Sequence, residues 1–86
     1  MRLGWRDPGE MVKEMAAYEG RYFCLTGGVS YYGVRDRVFK VHSYNPGMPA
    51  EFTILLEEGK YVGMDFVHLE RCQEVPKILG VLKVGR

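Results

Sequence analysis

Between Glu51 and Glu57 the chain alternates, with Phe52, Ile54 and Leu56 on one side and Glu51, Thr53 and Glu57 on the other. Successive side chains of a strand point to opposite faces, so this period of two predicts a strand with one face buried and one in water. The run closes in Glu57-Glu58-Gly59-Lys60, a tight turn, and a second β-forming stretch at residues 60–64 follows directly. Asp65-Phe66-Val67-His68 then predicts one helical turn before a short strand at residues 69–72. From Val34 to Cys72 these runs outline a small, strongly bent antiparallel β-barrel, with Phe39, Phe52, Ile54, Leu56 and Val67 as its expected core.

Upstream the pattern is helical. Asp7, Pro8, Gly9 and Glu10 read as N-cap, N1, N2 and N3: an acidic cap, a proline whose missing N–H costs nothing there, and a glutamate that completes a capping box. The helix is expected over residues 8–19, stopped by Gly20, with Met11, Met15 and Tyr18, and Val12 beside them, as one apolar stripe that packs on an open end of the barrel. A first strand is expected at residues 21–26, then a loop from Gly27-Gly28 that carries Tyr31-Tyr32, then a second strand at residues 34–44. The adjacent pair Val38-Phe39 interrupts that strand's alternation and predicts a bulge there. Asn45-Pro46-Gly47-Met48-Pro49 is a loop.

Eighty-six residues, 47% of them apolar and 13% aromatic, are enough for one core but not two. Twelve basic against eleven acidic residues leave a net charge of +1, so no global field draws the protein onto nucleic acid or anionic lipid, and any such binding must come from a local patch. The N-terminus lacks the apolar centre of a signal peptide and no run approaches the roughly 18 apolar residues of a membrane span, which makes a cytoplasmic protein the expectation. Two Ser, two Thr, one Asn and one Gln stand against abundant Arg and Glu, a balance that points to a thermophilic source.

Five short strands in this order resemble the SH3-like barrel: a long first loop at residues 26–33, a medium second loop at 44–50, a tight third turn at 57–60, and a helical turn at 65–68 before the last strand. The resemblance covers residues 21–72 and is carried by Glu57-Glu58-Gly59-Lys60-Tyr61-Val62-Gly63 and Phe66-Val67-His68-Leu69-Glu70. It implies a mainly β fold with one N-terminal helix in residues 1–20, a five- to six-stranded bent antiparallel barrel in 21–72, and a C-terminal strand or pairing tail in 73–86. Bacterial and phage members of this group mostly bind proteins or RNA. The Ala-Leu-Tyr-Asp-Tyr segment and the tryptophan pair of the proline-peptide-binding SH3 domains are missing, and the single Trp5 lies outside the barrel, so recognition of proline-rich peptides is not implied.

No spacing among Asp36, His42, Ser43, Asp65 and His68 groups a nucleophile with a base and an orienting acid, and Gly27-Gly28 is followed neither by Lys-Ser/Thr nor by a helix start. The expectation is a non-enzymatic binding module without a cofactor, acting through protein–protein contacts as a small bacterial or phage regulator or inhibitor. The alternative is binding of RNA, single-stranded DNA or a nucleotide through Tyr31, Tyr32, Arg35, Arg37, Lys40 and Tyr44, where rings are interleaved with cations. Glu51, Glu57, Glu58 and Glu70 would confine a nucleic acid to the other side.

Cys24 and Cys72 read as small hydrophobes, as a disulfide, or, with His42 and His68, as zinc ligands, since His68-x3-Cys72 is a spacing found in such sites. After Pro76 the tail reads as a sixth strand or as an exposed edge that pairs with a partner. As a strand it would carry apolar residues on both faces, more than one small barrel can cover. Leu79, Val81 and Leu82 are therefore expected to pack on the Met11, Met15 and Tyr18 stripe or on a second copy, giving a homodimer.

Overall fold

A computed structural model describes residues 8–25, 36–47 and 49–85. Along them run α1 (Pro8–Ala16), β1 (Tyr22–Cys24), β2 (Val38–Asn45), β3 (Glu51–Leu56), β4 (Tyr61–Met64), α2 (Phe66–Glu70), β5 (Gln73–Val75) and α3 (Lys77–Lys83). The strands form one antiparallel sheet in the order β4-β3-β2-β1-β5. The protein is mainly β, and the sheet is open, with β4 and β5 as its two edges. The Asp7 cap, the Gly27-Gly28 turn and the Tyr31-Tyr32 pair lie outside the described residues.

The alternation of β3 does what its period requires: Phe52, Ile54 and Leu56 are buried, Thr53 and Leu55 half-buried, Glu51 exposed. Gly59, at φ 87, takes the left-handed conformation that closes the turn into β4, where a side chain would be strained. On the same inner face lie Phe23, Leu25, Phe39, Val41, Met64 and Leu69, with Met15 and Tyr18 from the α1 end and Phe66 from α2 packed against them. Phe52 is the centre of an aromatic group, its ring 5.8 Å from Tyr18, 5.0 Å from Tyr44 and 6.4 Å from Phe66.

Four local expectations are corrected. The bulge lies between Val41 and Ser43, not at Val38-Phe39: Val38 and Phe39 alternate normally, and the extra residue His42 is what turns Tyr44 inward, opposite Phe52. α1 ends at Ala16, with residues 17–20 in turns, and its stripe is only partly used, because Met11 and Val12 stay exposed. The helix after β4 extends to Glu70, so the last strand begins at Gln73 rather than Leu69. Asp65 caps that helix by accepting from the His68 N–H at 2.9 Å, and this phase turns Leu69 into the core while Val67 is 55% exposed.

The largest departure is the tail. Residues 77–83 are the helix α3, and the sheet gains no sixth strand from them. Pro76 has no N–H with which to extend β5, and it sits at the helix N-cap with φ −54 and ψ 141. Spacings of four, Lys77 to Val81 and Ile78 to Leu82, gather the residues that would have split across the two faces of a strand.

α3 lies on the outer face of the sheet. Tyr22, directly opposite Lys40 on β2 and Val75 on β5, points there and is only 2% exposed. Gly80 comes so close that a Cβ built on it would stand 2.1 Å from Tyr22 Cγ, and the Tyr22 hydroxyl donates to the Gly85 carbonyl at 2.6 Å. α3 is thereby clamped to the sheet by one ring and one hydrogen bond. No helix among the described residues is long and apolar enough to cross a membrane.

Candidate functional site

A row of side chains crosses the outer face in direct register: Val75 on β5, Tyr22 on β1, Lys40 on β2, Leu55 on β3 and Tyr61 on β4. α3 covers the Tyr22 end. Beyond it Leu55 is half-buried and Tyr61 and His42 are exposed, the rings of these two edge to face at 5.0 Å.

Where α3 meets this face there is a groove of about 670 Å³, with Tyr22 and Lys40 in its floor and Lys77, Ile78, Val81 and Leu82 in its wall. At about 100° per residue, the helical phase that points Gly80 at Tyr22 turns Lys77 and Val81 to the groove side, Ile78 and Leu82 to the top of the helix, nearly opposite Gly80, and Leu79 and Lys83 to the far flank. Ile78 is 74% and Leu82 77% exposed. Large aliphatic side chains are held at the surface on a helix that Tyr22 fixes in place. Lys40 lies 6.0 Å from the Tyr22 ring, and neither Lys40 nor Lys77 has an ion-pair partner among the described residues.

A smaller cavity, about 370 Å³, opens on the core side, where Met11 and Met15 of α1 face Tyr44, Phe52 and Phe66. It is a gap in the cover of the hydrophobic core, and no cation lines it among the described residues.

The sequence-derived residues scatter. Of the six proposed for nucleic acid, Tyr31, Tyr32 and Arg35 lie outside the described residues. Arg37 is paired with Glu58 at 3.2 Å, Lys40 is on the outer face, and Tyr44 is turned inward against Phe52, so the three that are described share no surface. Of the proposed pairing residues, Val81 and Leu82 enter the groove and Leu79 does not.

Cys24, His42, His68 and Cys72 are not gathered either, and no group of three or more His, Cys, Asp or Glu among the described residues could hold a metal ion. His42 is against Tyr61; His68 Nδ1 is 2.6 Å from Asp65, whose carboxyl is held below its usual range by the His68 backbone N–H and then by the ring. Both thiols are free: Cys24 stands opposite Gln73, while Cys72 packs on the core and donates to the His68 carbonyl at 3.3 Å. Burial, with a smaller effect of Cys24, pushes the Cys72 thiol up to about 11, and burial first, then Asp36 and Glu57, raises Cys24. A thiol so raised is a weak nucleophile.

Gly20, Tyr22, Lys77 and Ile78, four of the seven described residues that line the groove, were not among the site residues read from the sequence. The signal for two of them was present: Pro76 followed by the four-residue spacings of Lys77/Val81 and Ile78/Leu82 is a helix start. No family model, curated protein or solved structure matches this chain.

Proposed function

We propose that this chain is a non-enzymatic binding module with an SH3-like body, which acts on another protein through the groove between α3 and the outer face of the sheet. The observation that carries the reading is the exposure of Ile78 and Leu82 on a clamped helix, on the same side of the sheet as half-buried Leu55 and exposed Tyr61. Rigid, contiguous apolar surface is what a protein interface offers, because little conformational entropy remains to be lost on binding. The SH3-like reading is supported by the strand order β4-β3-β2-β1-β5 and by the helical turn α2 between β4 and the last strand. The role proposed within that reading is that of a regulator or inhibitor of bacterial or phage origin.

The test is a photo-crosslinker, p-benzoylphenylalanine, placed at Leu82 and, as a control, at Glu58 on the far turn. In extract of the source cell the Leu82 probe should give discrete adducts to polypeptide that the Glu58 probe does not. Adducts to nucleic acid, or none at Leu82, would overturn the reading.

A further inference from the structure

On the inner side of the sheet, away from α3, the N-terminal helix stands off the core that it covers. Every residue of α1 from Gly9 to Glu14 is exposed, and only Met15 and Ala16 are half-buried. The cavity of about 370 Å³ lies between this helix and the core, with Met11 and Met15 facing Tyr44 and Phe52 of the sheet and with Phe66 and Glu70 of α2 completing the wall. Phe52, 0% exposed, closes its bottom. Small-molecule sites have volumes of roughly 300–1,000 Å³ and a lining of apolar and aromatic groups with a few polar ones, and at about 30 Å³ each about a dozen heavy atoms would fill this one. Methionine side chains adapt to the shape of what they contact.

The charge at the mouth has one sign. Glu70 is the only charged residue that lines the cavity among the described residues; it is exposed, and its carboxylate has no ion-pair partner there. A spacing of four sets Glu70 over Phe66, whereas Arg71, still in helical conformation, falls about 140° around from Phe66, on the side of exposed Val67. Lys13 lies about 160–200° around α1 from Met11 and Met15, on its opposite side. Arg21, over the Tyr18 ring at 4.6 Å, is held by two hydrogen bonds to Glu74, and His68 is engaged with Asp65. Glu19 accepts from the Tyr44 N–H at 2.7 Å and places a second carboxylate beside this wall. A fatty acid or another anion would therefore meet carboxylates at the mouth and no free cation among the lining residues.

We infer that this cavity binds a small apolar amine, with its hydrocarbon body between Met11, Met15, Phe52 and Phe66 and its ammonium group at the mouth, against Glu70. The half-buried rings of Tyr44 and Phe66 in the same wall also favour a cation over an anion. The site lies across the sheet from α3, so it is independent of the protein-binding reading and neither falls with the other.

Decylamine, decan-1-ol and decanoate share one chain and differ in charge, and each is titrated calorimetrically into the full chain at pH 7, below the concentration at which it aggregates. Decylamine should bind about tenfold or more tighter than decanoate and about threefold tighter than decanol. Glu70→Gln should erase the preference over decanol and leave decanol binding unchanged. Met11→Trp, which fills the cavity from an exposed position, should weaken all three, and circular dichroism reports that each variant is folded. In methyl NMR the Met11 and Met15 resonances should move as decylamine binds.

Binding of none of the three, equal affinity for decylamine and decanoate, or a preference over decanol that survives Glu70→Gln would overturn the inference. So would binding indifferent to Met11→Trp, or shifts that spare Met11 and Met15.

Discussion

The contact between Gly80 and Tyr22 holds α3 to the sheet, and Gly80→Ala attacks it with a single methyl group. In an isolated helix the change would help, by about 0.5–1 kcal/mol, because alanine loses less backbone freedom. In place, the new Cβ would stand 2.1 Å from Tyr22 Cγ and 2.6 Å from its Cβ. Those atoms are the stem of the ring, not a flexible tip, and the ring's far end is tied to Gly85. Restoring ordinary contact near 3.4 Å means moving the helix by about 1.3 Å or expelling the ring.

Overpacking of this kind costs about 1–3 kcal/mol, so the loss exceeds the gain in helix propensity. A net destabilisation of about 1–2 kcal/mol corresponds in a domain of this size to a fall in Tm of roughly 5–15 °C. Urea unfolding gives the free energy, and amide hydrogen exchange gives the place: protection should fall first at the Gly80, Val84 and Gly85 N–H groups. A second change, Tyr22→Leu, should restore part of the loss in the double variant, since the two sites are in contact and their effects are not additive. A Gly80→Ala protein as stable as the parent, with α3 amides equally protected, would refute the docking of α3 on Tyr22.

Three further outcomes follow from the structure. Phe52→Ala empties the centre of the aromatic group and should cost about 3–5 kcal/mol in urea unfolding; a loss under about 1 kcal/mol would remove the inner face assigned to β3. Arg21 donates to Glu74 through Nε at 2.8 Å and Nη2 at 2.6 Å, which lowers the Glu74 carboxyl below the usual carboxylate range. The stability that this depressed group contributes is complete above its unfolded value and disappears as pH falls through the folded one. Glu74→Gln should therefore be slightly less stable than the parent at pH 7, within the 0–1 kcal/mol of exposed pairs, and equal to it at the acid end; a difference that persists in acid would refute the link. Cys72, with its thiol at about 11, holds on the order of a hundredfold less thiolate at pH 8 than an ordinary cysteine, so iodoacetamide should label it in urea far faster than in the folded protein, and equal rates by mass spectrometry would contradict its burial.

What could be read from the sequence was what neighbours along the chain decide. The alternation from Glu51 to Leu56, the Glu57-Glu58-Gly59-Lys60 turn and the helical turn that starts after Asp65 each involve only a few consecutive residues, and the structure has a strand, a turn and a helix at those places. Phe39, Phe52, Ile54 and Leu56 are core because their period meets one face. Val67 is not, because the position of a five-residue helix on the core depends on where its cap falls, and a shift of two positions exchanges it for Leu69.

The tertiary structure alone decided the tail and the groove. A run as apolar as Ile78 to Val84 satisfies a strand and a helix locally, and Pro76 just before it is the one nearby signal that favours the helix. The choice was made some 55 residues away, where β1 points Tyr22 outward and leaves a ring that needs a cover and a gap that only a glycine can enter. Once Gly80 faces Tyr22, the phase of the helix sets Lys77 and Val81 on the side of Lys40 and leaves Ile78 and Leu82 at the surface, and the groove exists through that contact rather than through any motif.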